Sequence, residues 1–130
     1  MTDHAIENEI QAKGLTAPRV TPADIEANIV GEHYFTAADG VFHDDAIQVY
    51  HDESAFDGDP SLRLLTFCVL VLRNGFTVTG ESACASPENF DAELGRKIAR
   101  RNAEAKIWPL MGYVLREKLC RSAGAGTCND

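Results

Sequence analysis

The chain has 130 residues and a net charge of −8, with 45% hydrophobic, 25% charged and 8% aromatic residues. This length corresponds to one domain, and the composition excludes a collagen, a coiled-coil rod and a fully disordered chain. The longest apolar run, from Phe67 to Leu72, is far shorter than the ~18 residues of a membrane-spanning helix. The acidic start of the chain does not resemble a secretory signal, so we expect a protein of the cytoplasm that does not bind membranes.

The charge is unevenly distributed along the chain. Residues 1–60 contain 13 acidic and 2 basic residues, a net of −11, whereas residues 61–130 contain 7 acidic and 10 basic residues, a net of +3. The acidic total disfavours non-specific binding of duplex nucleic acid, but it allows a local basic pocket for a small anion. Opposite charges in the two halves also favour self-association. We therefore expect a homo-oligomer.

The first half of the chain has weak secondary-structure signals. Residues 1–20 are polar and aperiodic, which predicts a flexible leader. A helix of about nine residues is predicted after the N-cap Thr21, with its end at Gly31. Short strands are predicted over 33–37 and over 46–51, where Ile47 and Val49 alternate with more polar residues. The acidic segment 52–60 predicts a solvated loop.

A hairpin over residues 63–81 is the clearest local prediction. Its turn is Asn74-Gly75, a pair that favours a two-residue type I′ turn. That turn would pair Arg73 with Phe76, and the pairs Leu72–Thr77, Val71–Val78 and Leu70–Thr79 would follow. The first strand is apolar on both faces, which predicts a central strand, whereas the more polar second strand fits an edge.

A long helix is predicted after the hairpin, with Ser86 as its N-cap and Pro87 in its first turn. An apolar stripe is expected to face the sheet, with Arg101 inside it. Pro109 predicts a kink or a restart of the helix. The stripe consists of Phe90, Leu94, Ile98, Ala105 and Trp108.

Four ordered blocks of this sequence resemble a family of small tailed-phage proteins, the gene-product-49 / gene-product-66 family. The blocks are TFCVL at 66–70, NGFTVTGESAC at 74–84, NFDAELGRKIA at 89–99 and KIWPLMGY at 106–113. The resemblance covers roughly residues 21–119. It implies a phage or prophage origin and action in the cytoplasm of a host bacterium. Because the function of the family is unknown, the resemblance assigns no catalytic residue.

Two sets of residues contain groups typical of catalytic sites, and neither pattern is complete. The Gly80–Cys84 segment resembles a nucleophile elbow around Ser82, but Cys84 replaces its closing glycine. His43-Asp44-Asp45 and His51-Asp52-Glu53 contain ligand types for divalent cations. A metal-dependent hydrolase would need His43 and His51 close together with a carboxylate. A solvated acidic loop is the simpler interpretation, so we predict no catalytic residue, no metal and no cofactor.

A binding site for an anion such as a nucleotide phosphate is predicted at the start of the long helix. Free N–H groups at a helix N-terminus favour anions, and basic side chains follow within the first turns. The candidate ligand-binding residues are Glu81, Ser82, Cys84, Ser86, Arg96, Lys97, Arg100 and Arg101. The basic face could instead meet the acidic region of another copy. Trp108 and Tyr113 are candidate interface residues, because Trp and Tyr are enriched in binding hot spots.

Together these features predict a single α+β domain over residues 21–119, followed by a flexible tail over 120–130. It consists of an antiparallel sheet of three to four strands, a short N-terminal helix and a long kinked C-terminal helix packed on one face. The expected function is that of a non-enzymatic phage accessory protein that binds a host protein or a small anionic ligand. Counter-defence by sequestering a nucleotide signal is one form of this function. The alternative is a small structural or assembly factor of the virion.

Overall fold

The computed structural model describes residues 2–51 and 60–124. The protein is α+β, as predicted, with a long C-terminal helix packed on a three-stranded antiparallel sheet. Single 3₁₀ turns precede β2 and α4, at Pro60–Leu64 and Pro87–Asn89. The elements in chain order are α1 (Asp3–Ala12), α2 (Pro22–Asn28), β1 (Ile29–Thr36), α3 (Ala37–Val41), β2 (Leu65–Leu72), β3 (Thr77–Ala83) and α4 (Ala92–Ser122).

Two helices precede the sheet, although only the second was predicted. α1 begins after Thr2, whose hydroxyl accepts a hydrogen bond from the backbone of Ala5. α2 begins where the sequence predicts, because Thr21 and Asp24 form a reciprocal capping box. Its predicted end at Gly31 is wrong. The chain enters β1 at Ile29, and Gly31 packs within the strand against Val71.

β2 is the central strand of the sheet and β3 is an edge strand, as predicted. β1 pairs antiparallel with β2 and is longer than the predicted 33–37 segment. The predicted strand over 46–51 is wrong. Ile47 and Val49 are 92% and 74% exposed, so their alternation with polar neighbours buries neither face. The predicted loop over 52–60 lies almost entirely outside the described residues.

The hairpin between β2 and β3 has a three-residue turn, and the predicted pairing is wrong by one residue. Leu72 accepts a hydrogen bond from Gly75 and donates one to Phe76, and only Gly75 of the turn has a positive φ, +88°. This geometry fits a type I turn followed by a left-handed glycine. The shift places Val78 opposite Leu70, so both side chains are buried against α4.

α4 starts later than predicted and runs without a break. Its N-cap is Asp91, whose carboxylate accepts a hydrogen bond from Leu94, whereas Ser86 makes no capping hydrogen bond and precedes the 3₁₀ turn. Pro109 lies inside the continuous helix, so the chain does not restart there. The first described residues of the predicted tail, up to Ser122, belong to α4.

The face of α4 that contacts the sheet is not the predicted one. The stripe of Leu94, Ile98 and Ala105 faces solvent, and Leu94 and Ile98 remain 54% and 41% exposed. The sheet-facing stripe starts with small residues. Their small size lets the helix approach the strands closely. Its buried members are Gly95, Ala99, Ala103 and Ile107. The last three pack with Cys68, Leu70, Leu72 and Val78 of the sheet and with Ile25 of α2, whereas Gly95 lies against Thr66 of β2.

Candidate functional site

A groove lies between α2, the β2–β3 turn and the C-terminal half of α4. Its volume is about 390 Å³, within the usual size range of small-molecule sites. Its apolar surface comes from Val20 before α2 and from three residues on α4, which are Met111, Val114 and Leu115. Arg19, Arg73, Lys118 and Asp24 supply the charged groups of the groove. The groove thus combines an apolar surface with charged groups of both signs.

The Arg19 guanidinium in the groove is already paired with α1. It forms a two-pronged contact with the Glu7 carboxylate, in which Nη2 lies 2.6 Å from Oε2, and its Nε donates to the Leu15 carbonyl. Hydrogen bonds from Arg19 and then Gln11 lower the pKa of Glu7 to about 2. This ion pair connects α1 to the segment before α2 and so fixes one side of the groove.

Arg73 and Lys118 are the cations left for a ligand. Arg73 is positioned by the end of α2, since its backbone N–H donates to Asn28 and its Nε donates to the Ala27 carbonyl. Neither side chain forms an ion pair within the described part of the chain. Asp24, in the capping box, adds a carboxylate that can accept hydrogen bonds from hydroxyl or amino groups. The groove therefore suits a ligand with an apolar ring, an anionic group and polar donors.

Arg100, a predicted ligand-binding residue, lies in an internal ion-pair network. Its guanidinium contacts carboxylates from three elements: Glu26 of α2 at 3.3 Å, Glu32 of β1 at 3.0 Å and Glu104 of α4. The hydrogen bond with Arg100 lowers the pKa of Glu26, whereas burial raises the pKa of Glu104. Part of the charge asymmetry between the two halves of the sequence is thus neutralised within one chain.

The other predicted ligand residues before α4 do not converge on one cavity. Glu81 and Ser82 lie in β3, and the Glu81 carbonyl accepts a hydrogen bond from Asn102 of α4. The Cys84 thiol donates to the Ser86 carbonyl at 3.2 Å. At the start of α4 the Asp91 carboxylate already occupies the capping position. These contacts describe a hydrogen-bonded connection between β3 and α4.

Arg96 lines a small cavity between the start of α4 and the sheet, whereas Lys97 and Arg101 are exposed. Lys97 pairs with Glu93 at 3.4 Å. The cavity also contains Thr66, whose buried hydroxyl has no hydrogen-bond partner among the described residues. Its volume of about 130 Å³ fits a few water molecules or one small anion rather than a nucleotide.

The two predicted interface residues differ in their surroundings. Trp108 is half-buried and packs against the hydrophobic core. Tyr113 is 73% exposed on α4. For the metal hypothesis, His43 accepts a hydrogen bond from the Asp45 backbone, while Asp52 and Glu53 lie outside the described residues. Within residues 2–51 and 60–124, no three His, Cys, Asp or Glu residues are grouped closely enough to hold a metal ion.

No local sequence motif predicts the groove. Val20, Arg73 and Leu115 are far apart in the chain and meet only because α2 packs beside α4. One local feature of the sequence points toward the groove. Arg73 follows directly after the central strand, in the hairpin turn, and in the structure this turn contacts the end of α2. Periodicity alone does not show which helix that turn contacts.

Comparison with known proteins gives one finding. A family described as Phage protein (N4 Gp49/phage Sf6 gene 66) matches residues 20–119, which includes α2, the sheet and most of α4. Neither the curated proteins nor the solved structures include a match. Among the described helices, none has an apolar stretch long enough to cross a membrane.

Proposed function

The chain belongs to the phage protein (N4 Gp49/phage Sf6 gene 66) family, and from that premise we propose that it is a non-enzymatic accessory protein that binds a nucleotide in the groove between α2 and α4. The protein would act in the host cytoplasm. By retaining a nucleotide signal, it would lower the free concentration of that signal and so counter a host defence.

The observation that carries this proposal is the pairing of an apolar surface with two cations, Arg73 and Lys118, that form no ion pair with any described residue. Met111 and Leu115 offer a surface on which a base can lie, and Arg73 and Lys118 lie where a phosphate would be neutralised. Asp24 can accept hydrogen bonds from ribose hydroxyls or a base amino group.

Native mass spectrometry of protein purified from expressing bacteria tests the proposal. The wild-type protein is expected to carry an additional mass in the range of a nucleotide. Substituting Arg73→Glu together with Lys118→Glu should remove that mass, because the two anionic side chains would repel a phosphate. Circular dichroism should show that the double variant remains folded, since both side chains lie at the surface of the groove.

A matched control changes the same amount of charge at the site predicted from the sequence. The Arg96→Glu and Lys97→Glu double variant should keep the bound mass, because both residues lie outside the groove. Retention of the mass by the Arg73/Lys118 variant, or its loss only in the Arg96/Lys97 variant, would contradict a groove site. A wild-type protein that binds no nucleotide even when nucleotides are added would also contradict it.

A second candidate is the virion structural or assembly factor. It is favoured by the sheet face opposite α4, which keeps Phe67, Val69 and Val71 half-exposed. Phe35 stacks on Phe67 there, with ring centroids 5.4 Å apart. Exposed apolar patches often mark interfaces between proteins. Detection of the protein in purified phage particles would support this candidate, whereas its absence from particles would contradict it.

A further inference from the structure

Arg19 contacts α1 and the groove at the same time. Its side chain lines the groove between α2 and α4, while its guanidinium binds the Glu7 carboxylate of α1 through both terminal nitrogens. The side chains of Arg19 and Glu7 are 26% and 12% exposed, so the pair lies where α1 meets the rest of the protein. The groove therefore has a third cation, beside Arg73 and Lys118, whose charge is neutralised by α1.

α1 has no hydrophobic anchor of its own. None of its 10 residues is buried, and Ile6 is 42% exposed. An isolated helix of this length is only marginally stable in water, so α1 depends on contacts with the rest of the protein. The pair with Arg19 is one of these contacts, and α1 should fray when that pair is broken.

A phosphate group can replace a carboxylate on a guanidinium. Both groups accept two parallel hydrogen bonds from arginine, so they compete for the same pair of donors. A terminal phosphate has a charge of about −1.5 to −2 at pH 7, whereas a carboxylate has a single negative charge. Glu7 thus holds Arg19 in the way that a ligand phosphate would.

The cations of the groove exceed what one phosphate group needs. Arg73 and Lys118 together balance the charge of about −2 of a terminal phosphate. The carboxylate of Asp24 is balanced separately, because it caps the positive N-terminal end of α2. Arg19 is thus available for a second phosphate group of the same ligand once α1 releases it.

We propose that Arg19 is a third phosphate-binding residue of the groove, and that the ligand is a nucleotide with at least two phosphate groups, which takes Arg19 over from Glu7. This inference rests on the proposed binding of a nucleotide in the groove. One phosphate group pairs with Arg73 and Lys118, and a second one replaces the Glu7 carboxylate on Arg19. α1 then loses its attachment, so that binding of the ligand and release of α1 are coupled.

Isothermal titration calorimetry with nucleoside mono-, di- and triphosphates tests this arrangement. For at least one base, the di- or triphosphate should bind the wild-type protein at least tenfold more tightly than the monophosphate, because it adds a charge-assisted contact with Arg19. Arg19→Gln should abolish this preference. Glu7→Gln should instead strengthen binding of the di- or triphosphate about tenfold, since no carboxylate then has to be displaced.

The two variants break the same ion pair but should have opposite effects on binding, which a merely structural role of the pair would not produce. Glu9→Gln is the matched control on α1, because Glu9 pairs with Lys13 at an exposed site and should leave the affinity unchanged. Hydrogen exchange at the backbone amides of α1 should become faster in the wild type when the di- or triphosphate binds.

Four results would overturn the inference while leaving the groove site in place. They are equal affinities for mono- and triphosphates, an Arg19→Gln variant that keeps the preference, a Glu7→Gln variant that binds no more tightly than the wild type, and hydrogen exchange in α1 that does not respond to the ligand. A wild-type protein that binds none of these nucleotides would overturn both this inference and the proposed function.

Discussion

Gly80 of β3 lies directly beneath the backbone of Ala103 in α4. A Cβ atom at Gly80 would be 2.3 Å from the Ala103 nitrogen and 2.2 Å from the Ala99 carbonyl oxygen, which is closer than atoms can approach. The helix thus rests on the strand itself, and this contact fixes the height of α4 above the sheet. Because α4 also forms one side of the groove, the same contact positions Met111 and Leu115.

We predict that Gly80→Ala destabilises the protein by about 3 kcal/mol, because α4 must move away from the sheet to admit one methyl group. Chemical denaturation measures this loss. Gly112→Ala is the matched control, since it adds the same methyl group to open space and should stabilise the helix by about 0.5–1 kcal/mol. A Gly80→Ala variant as stable as the wild type would contradict the close contact.

Removal of Arg100 from its ion-pair network should lower the stability of the protein by an amount that depends on pH. Arg100→Met leaves Glu26, Glu32 and Glu104 near one another without their shared cation, which should cost about 1–3 kcal/mol at pH 7. Without the cation, repulsion between Glu26 and Glu104 should raise the pKa values of these two carboxylates in the folded variant. The folded variant therefore binds more protons than the unfolded chain, and its deficit should shrink as the pH falls toward 4.

Denaturation of the Arg100→Met variant at pH 7 and near pH 4 measures the change in its deficit. Arg121→Met is the control, because Arg121 pairs with Glu117 at an exposed site and should change stability by less than about 0.5 kcal/mol. An equal deficit at both pH values would show that Arg100 acts through packing rather than charge.

The Glu7–Arg19 ion pair holds α1 against the segment before α2, and we predict that this contact weakens in acid. Its contribution is complete above the ordinary carboxyl pKa of 4.5 and is lost as the pH falls toward about 2, because the pKa of folded Glu7 is lowered. Carboxyl-carbon NMR should give Glu7 a pKa of about 2 in the wild type and a clearly higher pKa in Arg19→Gln, where the hydrogen bond from Gln11 remains. An unchanged Glu7 titration in the variant would exclude Arg19 as the cause.

The sequence predicted the elements better than it predicted their contacts. Capping at Thr21, the Asn74-Gly75 turn and the long helix depend on neighbouring residues, and each was located. The face of α4 was assigned wrongly because Leu94 and Ile98 are more hydrophobic than Gly95 and Ala99. Close packing of helix on strand favours small side chains at the contact, and hydrophobic periodicity does not record that preference.

The groove depends on contacts that connect distant parts of the chain. Arg19 lies before α2, Arg73 in the hairpin turn and Lys118 near the end of α4, so no local motif unites them. The basic cluster at 96–101 was the predicted anion site, because it follows the expected start of the long helix. Folding pairs Lys97 with Glu93 and Arg100 with three carboxylates, whereas Arg73 and Lys118 form no ion pair with the residues that the structure describes.

Met111 provides the most direct test of the central claim, which is that the groove binds a nucleotide. The chain has two methionines, Met1 and Met111, so methyl-¹³C-methionine NMR gives two signals, and Met111 lies in the groove. Titration with a panel of nucleotides should shift the Met111 signal until saturation for at least one of them, with the Met1 signal as reference. The shift should vanish in the Arg73→Glu, Lys118→Glu variant. A Met111 signal that no nucleotide moves would contradict the account.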